Sequence, residues 1–203
     1  MDLKLYYSPG ACSLAPHIAM REAGIPVELK KVDLKAKQYE GGDYKQVNSK
    51  GYVPAIQMDD GTVLTEAPVI LQYIADQKPE SGLAPKPGDP ARYKLQEMLN
   101  FTTSEMHKGF GNFFNPALTD EWRKAVTDRL GIRLDWVAKQ LEGKPYIMGD
   151  KFTVADAYLF TILNWAGPSK FDMGKWPTIT EYHKRVGGRP KVQEALKAEG
   201  LVK

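Results

Sequence analysis

The sequence of 203 residues contains a single cysteine and no apolar run long enough to cross a bilayer. One cysteine excludes an internal disulfide framework and fits a reducing compartment. The opening stretch MDLKLYYSPG lacks the apolar core of a signal peptide. These absences predict a cytoplasmic protein with no membrane partner.

Charge of one sign is also scarce, since 28 Lys and Arg are scattered among 25 Asp and Glu. No basic run is interleaved with aromatic residues, so we expect no nucleic-acid partner. We expect no metal cofactor either. The remaining composition, 42% apolar and 26% charged, is ordinary for a globular protein that can bury a sizeable core.

Short strand and helix patterns alternate in the first part of the chain. Leu3 to Tyr7 reads as a strand that the SPG turn ends, and a helix follows that closes at Gly24. Because proline is tolerated only in the first turn of a helix, Pro16 requires this helix to begin near Cys12 or Ser13. Cys12 is therefore expected at a helix N-terminus.

The next segments complete an α/β unit. VELKKVD (27–33) reads as a strand, and Asp60-Gly61 marks a two-residue hairpin between two short apolar runs. EAPVILQYIADQ follows as a helix with Pro68 in its first turn. The order β-α-β-loop-β-β-α predicts a thioredoxin-like domain over residues 1–77.

A proline-rich and glycine-rich segment, residues 78–89, reads as a linker. Beyond it, residues 90–203 carry apolar side chains at helical spacing, which predicts an all-helical second domain. Within this part, Thr153 and Asp156 have the spacing of a capping box at the start of a helix. The fold class is thus an α/β domain followed by an all-α domain.

Two interpretations of Cys12 stay open at this stage. A thiol at a helix N-terminus is stabilised as a thiolate by the helix dipole and by free N–H groups. A lone cysteine is also a common buried apolar residue without chemistry. Position 15 is Ala15, so no Cys-x-x-Cys motif exists. Any redox cycle would need its second sulfur from another molecule.

The three histidines differ in their surroundings. A polar stripe follows one face of a predicted helix and consists of Asn100, Thr103, Ser104 and His107. Such a stripe is either part of a binding site or simply a solvated face. His17 lies on the wrong side of its helix to pair with Cys12 and reads as a packed or surface histidine. The charged neighbours of His183 predict a solvated side chain.

Two further motifs predict backbone geometry at a site. Val53 precedes Pro54 at the start of a strand, where the peptide bond is either cis, with an exposed strand edge, or an ordinary trans bond. Glu66 and Ala67 begin a helix whose free N–H groups can bind a carboxylate, while Glu66 can bind an ammonium group or simply complement the dipole. A thiol, a strand edge and such a clamp suit glutathione.

The stretches that carry a family resemblance are YYSPGACSLAPHI, GYVPA, TEAPVILQYIAD, LNFTTSEMHKGF and FTVADAYLF. The chain resembles the bacterial beta-class glutathione transferases along nearly its whole length. The resemblance implies the cytosolic glutathione transferase fold, a homodimer and glutathione as co-substrate. It implies Cys12 and His107 as catalytic residues. The glutathione-binding residues that it implies are Cys12, Lys37, Tyr52, Val53, a cis Pro54, Glu66, Ala67, Asn100, Ser104 and His107.

The function expected from this resemblance is conjugation of glutathione to small hydrophobic electrophiles, together with thiol-disulfide exchange through a Cys12–glutathione mixed disulfide. Four aromatic residues are candidates either for the apolar wall of the electrophile site or for core packing: Phe110, Phe113, Phe114 and Trp165. Two other functions stay open, a non-catalytic ligand-binding protein and a monothiol reductase. The sequence does not specify the electrophile.

Overall fold

A computed structural model describes residues 3–203. A six-stranded sheet forms from the first third of the chain, in the order β4-β3-β2-β1-β5-β6. Its central pair, β1 and β2, is parallel, and every other pair is antiparallel. The strands are β1 (Leu3–Tyr7), β2 (Val27–Asp33), β3 (Gln38–Tyr39), β4 (Gly42–Asp43), β5 (Ala55–Gln57) and β6 (Val63–Thr65).

Two helices belong to this sheet, α1 (Leu14–Ala23) and α2 (Ala67–Gln77). They pack on each other, and α1 ends where predicted, at Gly24 with a left-handed φ of 66°. Gly24 can adopt this conformation at no steric cost because it has no Cβ. The thioredoxin-like α/β arrangement predicted from the sequence is confirmed.

One part of the predicted order is wrong. The polar stretch between β2 and β5 was expected to be a loop, but it contains the β3–β4 hairpin and a 3₁₀ turn, Tyr44–Gln46. Each of these strands is two residues long. A period of two residues cannot show itself over so short a span, so the alternation that signals a strand is missing.

The remaining helices confirm the predicted all-helical part. They are α3 (Pro90–Phe101), α4 (Lys108–Gly111), α5 (Asp120–Leu141), α6 (Val154–Leu163), α7 (Ala166–Ser169), α8 (Pro177–Gly187) and α9 (Pro190–Ala198). Helix α6 is buried along its whole length, and both α6 and α9 pack against α1. One continuous core therefore joins the sheet to the helices.

Between α2 and α3 the chain forms only a short 3₁₀ turn, Pro79–Ser81. Arg92 crosses this segment and pairs with both oxygens of Asp76 at 2.8 and 2.9 Å. The backbone N–H of Val154 donates to the carbonyl of Leu83 at 2.9 Å. The segment is thus fastened to helices on both sides of it.

The capping box at the start of α6 is confirmed. Asp156 accepts from the backbone N–H of Thr153 and from its hydroxyl, and the N–H of Ile147 and the hydroxyl of Tyr182 also donate to it. This buried carboxylate therefore fixes the start of the most buried helix.

The structure corrects the expectation for one histidine and confirms it for another. His183, expected to be solvated, is half-buried, stacks on Phe160 at 4.7 Å between ring centroids, and bonds Asn164 through Nε2. Its charged sequence neighbours lie on the other faces of α8, which is why they misled the prediction. His17 is fully buried and pairs with Glu199, as a packed histidine should. No helix in residues 3–203 has the length and apolar character needed to span a membrane.

Candidate functional site

A cavity of about 740 Å³ lies where the carboxyl end of β1 and the start of α2 face the α3–α4 region. Most of its lining surface is apolar, with a few polar groups that converge on it, as is usual for small-molecule sites. We call it the main cavity. It is lined by Ser8, Pro9, Gly10, Ala11, Cys12, Leu34, Tyr52, Val53, Pro54, Glu66, Ala67, Pro68, Thr103, His107, Lys108, Phe114, Tyr158, Trp165, Pro168 and Leu201.

Cys12 lies in the wall of this cavity just before α1. Its side chain is 9% exposed, and its thiol donates to the carbonyl of Val53 at 3.2 Å. Burial raises the pKa of the Cys12 thiol to about 12, although nearby backbone N–H groups act in the opposite direction. Of the two interpretations that the sequence left open, the ligand-free structure favours the buried thiol, because desolvation outweighs the helix N-terminus here. Without ligand, Cys12 is a protonated hydrogen-bond donor.

His107 closes a π-helical segment, Thr102–His107, between α3 and α4. Such segments rotate side chains out of the α-helical register and are frequent at functional sites. His107 Nδ1 lies 2.8 Å from the Tyr158 hydroxyl, and the edge of its ring meets Trp165 at 4.8 Å between centroids. Burial lowers the pKa of His107 to about 4, with a smaller contribution from the Lys108 charge. His107 is therefore a neutral imidazole at neutral pH.

The peptide bond between Val53 and Pro54 is cis, which settles the alternative that the sequence left open. Both residues are buried and line the main cavity, and Pro54 leads directly into β5. The Val53 carbonyl already serves as the acceptor for Cys12. Backbone polar groups of this segment and the Cys12 sulfur thus lie at one place in the wall.

Glu66 stands at the N-terminus of α2 with a left-handed φ of 73°. Its carboxylate accepts from the Tyr52 hydroxyl at 2.9 Å and pairs with Lys50. The Lys50 and Tyr52 donors hold the pKa of Glu66 below its ordinary value. The first N–H of α2, on Ala67, faces the same region, so acceptor and donor groups lie side by side at this end of the cavity.

Three of the candidate binding residues lie outside the lining of the main cavity. Lys37, with a left-handed φ of 57°, donates from Nζ to the carbonyl of Gly51 at 2.7 Å. Asn100 and Ser104 are exposed on the outer side of the α3–π segment, whereas Thr103 and His107 of the same polar stripe line the cavity. The π turn divides the stripe, and a periodicity of 3.6 cannot reveal this division.

The four aromatic candidates separate in the same way. Phe114 and Trp165 line the cavity and meet edge to face at 5.6 Å. Phe110 and Phe113 pack with Phe171 in the core, at 6.3 Å from each other and below 6 Å from Phe171. The placement of Phe110 and Phe113 in the cavity wall is therefore corrected, because helical spacing alone does not distinguish a core aromatic from a lining one.

Tyr158 and Lys108 also line the cavity, although neither is among the candidate residues that the sequence indicates. Tyr158 lies within FTVADAYLF, where the local pattern predicts a capping box, and Lys108 is adjacent to His107. Lys108 could have been predicted because it directly follows His107 in the sequence, but nothing in the local pattern indicates Tyr158. In residues 3–203, no cluster of three His, Cys, Asp or Glu side chains is arranged to hold a metal ion.

Comparison with known families matches both halves of the chain. Residues 10–77 match the description "Glutathione S-transferase, N-terminal domain", and residues 101–190 match "Glutathione S-transferase, C-terminal domain". The first match contains Cys12, Val53 and Glu66, and the second contains His107. The two matches therefore supply opposite walls of the main cavity.

Similar proteins cover nearly the full length of the chain. Glutathione S-transferase GstA of Escherichia coli O157:H7 is 46% identical over 98% of this chain and 100% of its own length. Among solved structures, a glutathione transferase from Methylococcus capsulatus is 55% identical with a TM-score of 0.96. A bacterial beta-class glutathione S-transferase from Sphingomonas chungbukensis is 47% identical with a TM-score of 0.94, and both structures cover 98% of this chain and are themselves covered completely.

These relatives do not favour a non-catalytic binding protein or a monothiol reductase over a transferase. One chain carries the sheet with Cys12, the helices with His107 and the cavity between them, and each half matches one domain of the family. The chain belongs to the glutathione S-transferase family, in its bacterial beta class, and is an enzyme of glutathione conjugation.

Proposed function

We propose that the main cavity holds glutathione with its sulfur between Cys12 and His107. The observation that carries this proposal is the convergence of both side chains on one cavity beside the Val53 backbone. A thiolate is the reactive form of glutathione, and hydrogen-bond donors aimed at a sulfur anion favour that form. The Cys12 thiol and a neutral His107 supply such donors.

The rest of the tripeptide fits the other groups of the cavity. The γ-glutamyl head carries a carboxylate and an ammonium group, which suit the N–H of Ala67 and the Glu66 carboxylate beside it. Tyr52 orients Glu66 through its hydroxyl. The Val53-Pro54 segment pairs with the cysteinyl backbone.

Three candidate residues outside the cavity lining complete the proposed site. Lys37 reaches the glycine carboxylate after releasing the Gly51 carbonyl, its acceptor in the ligand-free structure. Asn100 and Ser104 are exposed. We keep both as glutathione-binding residues, with Asn100 reaching the site of the neighbouring subunit in a homodimer.

The conjugation step is a displacement or an addition at carbon. The glutathione sulfur forms a bond to an electrophilic carbon, and the electron pair of the broken bond leaves with the departing group or is protonated after addition. The electrophile lies against Phe114 and Trp165, whose rings give the cavity its apolar wall. A small, hydrophobic substrate is therefore expected.

Thiol-disulfide exchange uses the same sulfur position. Cys12 loses its proton to solvent and attacks the glutathione sulfur of a mixed disulfide between glutathione and another thiol. A Cys12–glutathione disulfide forms, and the other thiol leaves as a thiolate that takes up a proton from solvent. A glutathione thiolate then attacks the Cys12–glutathione disulfide, releases oxidised glutathione and restores Cys12. Because Cys12 is the only cysteine, no internal disulfide can compete with this step.

The proposed working form is a cytoplasmic homodimer in which each chain is organised as residues 1–77, a linker over 78–89 and residues 90–203. A reducing cytoplasm keeps Cys12 and glutathione reduced, as the mechanism requires. Sedimentation velocity tests the dimer. A species of the mass of one chain at micromolar concentration would contradict it.

The decisive experiment separates the two activities by substitution. Conjugation of a panel of aromatic halides and enones, and reduction of glutathione mixed disulfides, are measured for the wild type, Cys12→Ala and His107→Gln. We expect Cys12→Ala to abolish disulfide reduction and His107→Gln to lower conjugation about tenfold or more. Wild-type rates in both variants would overturn the proposed site.

His183→Gln provides the matched control, because His183 is also a half-buried histidine but lies outside the main cavity. Its conjugation rate should equal that of the wild type. Intact mass after incubation with oxidised glutathione should show one added glutathionyl group that reductant removes. The same added mass in Cys12→Ala would contradict attachment at Cys12.

A further inference from the structure

The hydroxyl of Tyr158 lies beside the candidate catalytic histidine, on a residue buried to 1% exposure. It is 2.8 Å from His107 Nδ1 and 3.4 Å from Thr103 Oγ1. These are its two possible acceptors in the described part of the chain. Which of them takes the Tyr158 proton decides where the proton of His107 sits.

The Thr103 hydroxyl has only one proton, and it is already used. Thr103 Oγ1 donates to the carbonyl of Leu99 at 2.9 Å, an oxygen that can only accept. Thr103 therefore does not donate to Tyr158. An O–H···O separation of 3.4 Å is also beyond the normal range of 2.5–3.0 Å, so Thr103 is a poor acceptor for Tyr158.

The distances thus direct the Tyr158 proton to His107 Nδ1. A buried hydroxyl without an acceptor would cost free energy, and the 2.8 Å contact satisfies it. A nitrogen that accepts a hydrogen bond carries no proton of its own. In a neutral imidazole the proton must then be on the other nitrogen, Nε2.

His107 Nε2 is open to the cavity. It has no hydrogen-bond partner in residues 3–203, and the only buried side-chain N or O atom there without a partner is Thr102 Oγ1. Nε2 is therefore accessible to solvent, and His107 is a lining residue of the main cavity. The edge contact with Trp165 limits rotation of the ring.

We propose that Tyr158 is a positioning residue that holds the His107 proton on Nε2, so that His107 presents a hydrogen-bond donor to the sulfur of glutathione. This inference rests on the proposed function, which places that sulfur in the main cavity. His107 then stabilises the thiolate, and the proton of the glutathione thiol goes to solvent rather than to His107. The charged and titratable groups that face His107 are Cys12, Glu66, Lys108 and Tyr158.

Electrostatics agrees with this role. Burial lowers the pKa of His107 to about 4, which makes the neutral ring a weak base at neutral pH. Burial also raises the pKa of Tyr158 above its ordinary value, so the hydroxyl keeps its proton and remains a donor. A general-base role would need a bare Nε2, and the Tyr158 contact opposes that tautomer.

The first test observes the tautomer directly in glutathione-free protein. Nitrogen-15 NMR of the imidazole rings is simple here because the chain has three histidines, and His107→Gln identifies the signals of His107. We expect Nε2 protonated and Nδ1 unprotonated in the wild type. In Tyr158→Phe, a mixture of tautomers should appear. Protonated Nδ1 in the wild type, or an unchanged tautomer in Tyr158→Phe, would overturn the proposal.

Tyr182→Phe is the matched control. Tyr182 is also 1% exposed, and its hydroxyl bonds Asp156 outside the main cavity. This variant should keep the wild-type tautomer of His107. A tautomer shift in Tyr182→Phe equal to that in Tyr158→Phe would mean that any lost buried hydroxyl disturbs His107, and the specific role would be refuted.

The second test measures the pKa of the bound glutathione thiol from the ultraviolet absorbance of its thiolate. Tyr158→Phe should raise this pKa by about one unit, lower conjugation at acidic pH about tenfold, and leave the KM for glutathione unchanged. A higher KM with an unchanged thiol pKa would indicate a merely structural role. If even the wild type leaves the pKa of glutathione unperturbed, the proposed function fails, while the NMR result still decides the tautomer.

Discussion

At the scale of single residues, Cys12 shows that burial can outweigh a favourable position before a helix. The backbone N–H groups of Cys12 and Ser13 lower the pKa of the thiol, but desolvation raises it more. In the ligand-free protein, Cys12 is therefore a thiol that donates a hydrogen bond to the carbonyl of Val53. In this enzyme the reactive anion is expected to belong first to glutathione.

A consequence is low intrinsic reactivity. Alkylation of ligand-free protein by iodoacetamide at neutral pH should be at least about a hundredfold slower than alkylation of the unfolded chain, because the thiolate is the reactive form. Mass spectrometry reports the rate without ambiguity, since Cys12 is the only cysteine. Equal rates for the folded and unfolded chain would contradict the buried, protonated thiol.

His107 links the site to stability. Its pKa of about 4 in the folded protein lies below the ordinary value of 6.5, so the folded state resists protonation. The stability that this residue contributes is complete above pH 6.5 and is lost as pH falls toward 4. Between pH 7 and pH 5, the free energy of unfolding should fall about 2 kcal/mol more in the wild type than in His107→Gln. Urea titrations at both pH values check this, and an equal loss in both proteins would refute it.

At the scale of elements, Asp156 determines where the central helix α6 begins. Its carboxylate accepts from Thr153, Ile147 and Tyr182, all of which are buried. Asp156→Ala leaves these donors unpaired and should lower the free energy of unfolding by about 2–4 kcal/mol. The measurement is the urea midpoint at fixed protein concentration.

Thr119→Ala is the control for this substitution. Thr119 caps α5 through one exposed bond to the N–H of Trp122. Its loss should cost only about 1 kcal/mol. Comparable losses in Thr119→Ala and Asp156→Ala would mean that the buried network adds nothing to an ordinary helix cap.

Local chemistry explains which elements the sequence predicted. The α6 cap, the end of α1 at Gly24 and the hairpin at Asp60-Gly61 each depend on residues that are adjacent in the chain. The π-helical segment that ends at His107 could not be predicted from the sequence, because its amino-acid composition does not differ from that of an α-helix. The site residues that lie in local sequence motifs could be predicted. Tyr158 could not be predicted, because its role arises from the packing of α6 against the α3–α4 region.

At the scale of the whole molecule, the end of the chain supports the loop that carries Cys12. Glu199 accepts from the backbone N–H of Gly10 at 3.0 Å and pairs with His17 at 2.9 Å, while Trp165 donates to the Gly10 carbonyl at 2.8 Å. The Glu199 and His17 side chains are fully buried. Residues from both ends of the sequence thus fix one wall of the main cavity.

Glu199→Ala should therefore destabilise the protein by about 3 kcal/mol or more, because it leaves buried donors unpaired. Hydrogen exchange at the Gly10 amide should also become faster. Glu194→Ala is the control, since Glu194 is an exposed partner of Lys191 within α9, the helix that ends just before Glu199. This substitution should cost less than about 0.5 kcal/mol. Unchanged exchange at Gly10 in Glu199→Ala would contradict the tether.

A crystal structure of the complex with reduced glutathione would show whether the main cavity brings the glutathione sulfur to Cys12 and His107. The glutathione sulfur should lie within hydrogen-bond distance of Cys12 Sγ and His107 Nε2, with the γ-glutamyl head at Glu66 and Ala67. Glutathione bound with its sulfur away from both side chains would refute the proposed site.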